Sequence, residues 1–315
     1  MNFRTEIKIA RNPVKAEHYQ KYVTIGSCFA ENIAGYFKYY LFNVLENPFG
    51  VLYNPVSICN AIKILNSKKV FTENDLIYDK GEWHSFYHHS DFSHEDKTEC
   101  LNNIKNRTTH TLDYLTSTEW IIISLGTSYV YRHKEKNIIV SNCHKMPASD
   151  FIRELLTSEE SKKYLTDTIN LLRKINPAIK IILTVSPIRH IKDGFAENQL
   201  SKSSLIYAVH EIINTSSNCF YFPSYEIMMD DLRDYRFYEK DMLHPNKIAI
   251  EYIWEKFSAC FFSDACLTAI KDIEPYSKGT MHRPRNPESA ASKAFEQKIK
   301  KLKDELIAKY PYLGI

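Results

Sequence analysis

A chain of 315 residues with 44% hydrophobic, 25% charged and 13% aromatic content can bury a large core, which excludes a disordered chain and a disulfide-stapled mini-fold. The 41 basic and 38 acidic residues leave a formal net charge of +3, too little for an electrostatic footprint on nucleic acid. Apolar runs such as 121–126 and 181–185 fall short of the roughly 18 residues a membrane span needs. Residues 1–13 carry a charge every few positions in place of a secretory apolar region. The expectations are no nucleic-acid partner, no membrane span and a cytoplasmic location.

The first buried strand is expected at 21-KYVTIG-26, breaking at Gly26-Ser27-Cys28 into an aromatic-rich helix over 29–42. A turn-rich stretch, 46–55, leads to a helix at 56–66 whose Ile58, Ile62 and Leu65 share a face. Residues 70–94 hold Trp83, His84, His88, His89 and His94 with little periodicity and read as a long loop or small excursion, the kind of segment that often carries function. A helix near 95–115 precedes a second strand, 119–126, and a hairpin of 128–133 with 137–141. Helices are expected over 149–156 and 160–176, the latter ending before Pro177. A third strand, 179–187, is followed by a helix over 200–217, a short run 219–223 and a helix over 246–262. Apolar runs alternating with amphipathic segments predict an α/β fold.

From about residue 285, Ala291, Phe295, Ile299, Leu302 and Leu306 recur at helical spacing between lysines. The division expected is an α/β domain over 1–284 and a C-terminal amphipathic helix over 285–315. That helix would pack on the body or on a second copy, making a homo-oligomer. The seven cysteines are odd in number and form no C-x-x-C pair, so most are expected to be reduced and buried, with no metal and no cofactor. Only 8 glycines occur, so several should sit where backbone geometry demands them.

Two sites carry chemistry. Gly26-Ser27-Cys28 ends a buried strand and starts a helix, where open α/β sheets bind ligands. The unpaired N–H groups of a helix start favour a thiolate and can stabilise a developing oxyanion. Far downstream, 241-DMLHP-245 places Asp241 three residues before His244, a spacing that on a turn lets the carboxylate hold one ring nitrogen while the other faces a nucleophile. Together they suggest a nucleophile–His–Asp arrangement.

The segment 26-GSCFA-30, with 47-NPFGVLYNP-55, 120-WIIISLGTSYVY-131, 142-NCHKMP-147, 184-TVSPIRHIKDG-194, 241-DMLHPN-246 and 282-HRP-284, resembles the GSCFA family, which looks like a branch of the SGNH (GDSL-like) hydrolases. The resemblance implies a three-layer α/β/α sandwich with a parallel sheet of about five strands. It also implies hydrolysis or transfer at an ester, with a small-molecule or carbohydrate acyl substrate. The superfamily's G-D-S, held in register, puts Gly26 on the glycine, Ser27 on the aspartate and Cys28 on the nucleophilic serine; a one-residue slip of the turn gives the role to Ser27. Gly50 fits the second block as an oxyanion donor. The third block, G-x-N, begins at Gly126 but lacks its asparagine, for which Asn142 or the Thr127 hydroxyl could substitute, the alternative being a hole with two donors. The last block, D-x-x-H, is intact at Asp241 and His244.

His144 and His190 lie in resembling stretches without a superfamily counterpart; each reads either as a histidine satisfied by a backbone carbonyl or as a site residue. Arg189 and Lys192, after the third strand, could pair an anionic substrate or belong to a solvated turn. The cluster 83-WHSFYHH-89 lacks the carboxylate or cysteine that would complete a familiar metal spacing, so Trp83 and His89 read as a pocket wall or substrate platform. A non-catalytic binding or maturation protein that keeps the pocket is the competing reading.

Overall fold

A parallel sheet organises the computed structural model, which describes residues 5–192 and 194–315. Met1–Arg4, the start of the segment read for a secretory signal, and Asp193, within the 184–194 stretch, lie outside the described residues. The sheet is built from β1 (Lys21–Gly26), β2 (Asn43–Glu46), β5 (Trp120–Leu125), β9 (Lys180–Val185) and β10 (Cys219–Phe222), in the order β10-β9-β5-β1-β2. Every pairing in it is parallel.

Alternation along each strand sorts side chains to opposite faces. Val23, Ile25, Ile121, Ile123, Ile181 and Leu183 pack under α2 (Pro55–Ser67), α4 (Ser158–Ile175) and α5 (Phe195–Ile213). Tyr22, Trp120, Ile122, Ile182 and Phe222 pack under α1 (Cys28–Tyr39) and α7 (Lys247–Phe261). Sheet and two helical layers make the α/β/α sandwich. Each fully buried Ile, Leu or Phe contributes about 1.5–3 kcal/mol, so this two-faced core fixes the sheet that carries the site at its carboxyl edge.

Local signals set the helix starts. Asn54 caps α2 by accepting the Ser57 N–H at 2.9 Å, with Pro55 at the first helical position. Thr157 and Glu160 form a capping box on α4. Outside the main sheet, β3 (Ile77–Asp79) and β4 (Glu82–His84) form a small hairpin within the stretch read as a loop. The expected hairpin is β6 (Tyr129–His133) with β7 (Ile138–Val140).

The segment 149–156 corrects the sequence reading: Phe151–Leu155 is a strand, β8, paired antiparallel with β6. Its spacing suits a helix, but cross-strand partners override propensity. Phe151 is buried with Phe86 and Val140, the Arg132 guanidinium grips Glu154 at 2.8 and 3.0 Å, and that of Arg153 lies 3.5 Å from the centre of the Tyr129 ring. The capping box then starts a new helix at Ser158.

Further elements are α3 (Lys97–Thr116), the short turn α6 (Ser224–Glu226) running into a π-helical turn at Ile227–Leu232, α8 (Asp264–Thr280) and α9 (Ala290–Lys309). The C-terminal helix lies along α8 of its own chain: Leu306 is buried with Ala269, Ile273 and Leu313, while Phe295, Ile299 and Leu302 are half-buried. No helix of the described residues is long and apolar enough to cross a membrane. All seven cysteines are free thiols, five of them buried; Cys28 and Cys143 are half-buried.

Candidate functional site

The first strand delivers Cys28 to the carboxyl edge of the sheet through a turn only glycine can make. Gly26 has φ +137°, and a Cβ there would lie 2.1 Å from the Ser124 carbonyl oxygen. Ser27 follows as the N-cap of α1. Its Oγ accepts the Phe29 N–H at 3.3 Å and meets Ser124 Oγ at 3.0 Å, and the residue is wholly buried. Cys28 is the first helical residue, half-buried, with its sulfur 3.4 Å from the Tyr53 hydroxyl. A helix supplies no acceptor for its first N–H groups, and no hydrogen bond among the described residues takes that of Cys28.

The 241–244 turn sits at the opposite end of the chain. Asp241 Oδ2 accepts from His244 Nδ1 at 2.6 Å, while Oδ1 accepts the backbone N–H groups of Leu243 at 2.9 Å and His244 at 3.0 Å. These bonds hold the Asp241 carboxyl down at about 2, the two backbone donors first and the imidazole after them. The His244 side chain is 46% exposed. A backbone bond from the Arg189 N–H to the Leu243 carbonyl, 3.4 Å, ties this turn to the loop after β9.

The loops after β5 and β9 meet around Tyr53. The Tyr53 carbonyl accepts the N–H groups of Gly126 at 2.8 Å and Thr127 at 3.0 Å, and the Tyr53 ring meets the His190 ring edge-on at 5.5 Å. A Cβ on Gly126 would stand 3.1 Å from Tyr53 Cδ1 and 3.3 Å from His190 Nε2. His190 Nε2 is shut off from solvent and finds no partner. Burial, then the charges of Lys202 and His244, push the His190 imidazole down to about 3, so this ring is neutral. Lys202, fully buried on α5, donates to the carbonyls of Gly126 at 2.6 Å and Ser186 at 2.7 Å, and burial lowers its amine to about 7. Its neighbours on α5 pin the same loops: Ser201 Oγ accepts the Ser128 N–H, and Asn198 accepts that of His190.

The other expected residues scatter. The Gly50 N–H donates to the Asn47 carbonyl at 2.7 Å. His89 packs over Gly50, its N–H on the Phe49 carbonyl and its Nδ1 3.1 Å from the Asp91 carboxylate. Asn142 accepts the His144 N–H and donates to Ser90 Oγ at 3.4 Å. His144 bonds the Ser85 carbonyl at 2.9 Å and stacks on His84; burial pushes it down to about 4. Trp83 packs in the separate cluster of Leu76, Phe92, Cys100 and Ile104, under the Lys97 ammonium. Arg189 reaches Met229 Sδ and the rings of Phe195 and Tyr238, and Lys192 donates to the Tyr131 hydroxyl. Among the described residues no group of three His, Cys, Asp or Glu side chains could hold a metal ion.

Three residues at this site escaped the sequence reading. Tyr53 lay inside a singled-out stretch with nothing to say which way its ring points. Asn47, whose Oδ1 accepts the Gly26 N–H at 2.9 Å, passed as a turn residue. Lys202 lay unremarked in the expected helix 200–217; its signal is the neighbouring Asn198 and Ser201 on the same helix face.

The model of the GSCFA family matches residues 21–257. No curated protein matches the chain. Among solved structures, one similar chain is a carbohydrate esterase family 3 from Talaromyces cellulolyticus, at 10% identity over 80% of this chain and 99% of that one, TM-score 0.36. Another is an acetyl esterase mutant with acetate ion, at 11% identity over 81% and 99%, TM-score 0.37. Neither likeness is high enough to bear on the chemistry.

Proposed function

We propose, from the premise that the chain belongs to the GSCFA family, that it is an acyl-transfer enzyme acting on esters, a branch of the SGNH-type hydrolases with Cys28 as nucleophile. The observation that carries the reading is the Asp241–His244 pair: with Nδ1 bound to a carboxylate at 2.6 Å, the imidazole is fixed in the tautomer whose Nε2 can take a proton. The half-buried Cys28 at the start of α1 is supported over Ser27, which is wholly buried and spends its hydroxyl on the helix cap.

In this scheme the thiol adds to the acyl carbonyl as His244 takes its proton. The proton then goes to the departing alkoxide, leaving an acyl-thioester that water or an acceptor alcohol cleaves with His244 as base. A carbohydrate ester is favoured by a cleft of about 610 Å³ lined by Tyr36, Tyr39, Tyr40, Glu239, Glu251 and Pro245. It runs along α1 at Asn32 and Gly35 and adjoins the His244 turn through Glu239 and Pro245. Tyrosine faces suit the apolar side of a sugar ring and carboxylates its hydroxyls.

One observation favours a non-catalytic binding or maturation protein instead: the N–H groups of Gly50 and Gly126 are both taken by protein carbonyls, so neither is free for an oxyanion. Turnover of p-nitrophenyl acyl esters and acyl-CoAs by the wild type and Cys28→Ala separates the two. Loss of turnover in Cys28→Ala is expected; a wild type no faster than Cys28→Ala on every substrate would give the binding reading.

A further inference from the structure

We infer that the Tyr53 hydroxyl is the side-chain donor of the oxyanion hole, acting together with the backbone N–H of Cys28. The inference rests on the acyl-transfer reading above and names a catalytic residue for it. Tyr53 Oη lies 3.4 Å from the Cys28 sulfur, so an acyl carbon bonded to that sulfur carries its oxygen into reach of the phenol. The backbone donors that could have served instead, at Gly50 and Gly126, are spent on the carbonyls of Asn47 and Tyr53.

The site is built to hold this hydroxyl still, which is what makes a donor effective before the charge develops. Two N–H groups, from Gly126 and Thr127, fix the Tyr53 carbonyl. The absence of a side chain at Gly126 leaves room for the ring, and His190 closes on its edge at 5.5 Å. Burial first, then the Cys28 thiol beside it and the more distant Glu31, raise the phenol far above its ordinary range. It therefore stays protonated, able to donate and unable to serve as a base at neutral pH.

The step balances. Sulfur–carbon bond formation sends the carbonyl π pair to oxygen and the thiol proton to His244 Nε2, and the new alkoxide accepts from Tyr53 Oη–H and the Cys28 N–H. Collapse returns the pair to the carbonyl, breaks the bond to the leaving oxygen and delivers the His244 proton to it. Tyr53 gains and loses nothing.

Two reagents that meet the same sulfur test this. Acylation of Cys28 by p-nitrophenyl acetate passes through an oxyanion, whereas alkylation by iodoacetamide does not; both are followed by mass spectrometry of intact protein in single turnover. Tyr53→Phe keeps the ring and is expected to slow acylation on the order of 10²-fold, the usual loss for one such donor, while alkylation changes by less than about threefold. Equal slowing of both reactions would mean that Tyr53 acts on the thiol, and unchanged acylation would mean that it does nothing; either overturns the inference. Ester turnover that survives Cys28→Ala would instead remove Cys28 as the nucleophile, on which the inference rests, whereas no turnover by the wild type on any ester would remove the acyl-transfer reading itself. A thermal melt of Tyr53→Phe matching the wild type shows that a slowed acylation is not a folding defect.

Discussion

Asp241 grips His244 twice, through the ring nitrogen Nδ1 at 2.6 Å and through the backbone N–H at 3.0 Å. The second bond fixes the carboxylate relative to the chain that carries the imidazole, so the ring inherits its orientation from the turn itself. Replacing Asp241 with Asn keeps the shape but removes the charge that stabilises an imidazolium and selects the tautomer. The expected result is a loss of acyl transfer on the order of 10³–10⁴-fold, with slower iodoacetamide alkylation of Cys28 beside it, because the thiolate is the nucleophile in both reactions. Steady-state kinetics on a p-nitrophenyl ester read it, and a loss below tenfold would show that the pair is structural.

Ser27 is expected to matter for stability and not for chemistry. Its hydroxyl caps α1 and bonds Ser124 in a wholly buried position. Ser27→Ala should cost about 1–2 kcal/mol, the usual worth of an N-cap, seen as a lower urea midpoint, and leave measurable acyl transfer. Cys28→Ala should do the reverse. A fully stable but inactive Ser27→Ala would move the nucleophile one residue back.

Much of the sheet was legible because β1, β5 and β9 are short apolar runs closed by turn residues, and burial on both faces leaves no other reading for 120–125. β2 was missed because Asn43–Glu46 is an edge strand with an exposed first residue and no apolar alternation. Phe151–Leu155 was misread because its partner β6 is remote from any local window. α8 went unread although Ser263 caps it, since Pro275 inside the helix breaks the pattern a sequence reading trusts. At the site, Cys28, Asp241 and His244 could be named because their spacing is itself the chemistry. Tyr53 and Lys202 could not, because their roles come from long-range approaches of β5, β9 and α5 that no spacing encodes.

Acid should unfold the protein through its buried histidines. His88 is pushed down to about 3 by burial and then by His144 and Lys69, His144 to about 4 and His190 to about 3, each mainly by burial. A folded value below the ordinary 6.5 means that the unfolded chain binds the proton first. Stability is therefore complete above about pH 6.5 and is lost as pH falls toward 3–4. Between pH 7 and pH 5 the loss is about 2 kcal/mol for each histidine. Urea midpoints should drop accordingly, and His88→Gln should flatten the slope. A midpoint constant over this range would sink the argument.

Lys202 supplies a dependence of the same sign in a higher pH window. Its nitrogen donates to two buried carbonyls, at Gly126 and Ser186, with no carboxylate beside it among the described residues. A neutral amine has two N–H groups, enough for both acceptors, so the fold can hold the uncharged form without leaving a bond unmade. Burial lowers this amine to about 7 from an unfolded value near 10.4, so the unfolded chain keeps its proton longer as pH rises. The contribution is complete above about pH 10 and is lost as pH falls through about 7. Wild-type stability should gain about 2 kcal/mol from this group between pH 7 and pH 9. Lys202→Met removes that gain and strands both carbonyls, a cost of about 2–6 kcal/mol at pH 7 for two unsatisfied acceptors. Chemical denaturation of the pair at pH 7 and pH 9 measures both effects. A gap between wild type and Lys202→Met that stays constant from pH 7 to pH 9 would show that the folded lysine keeps its charge.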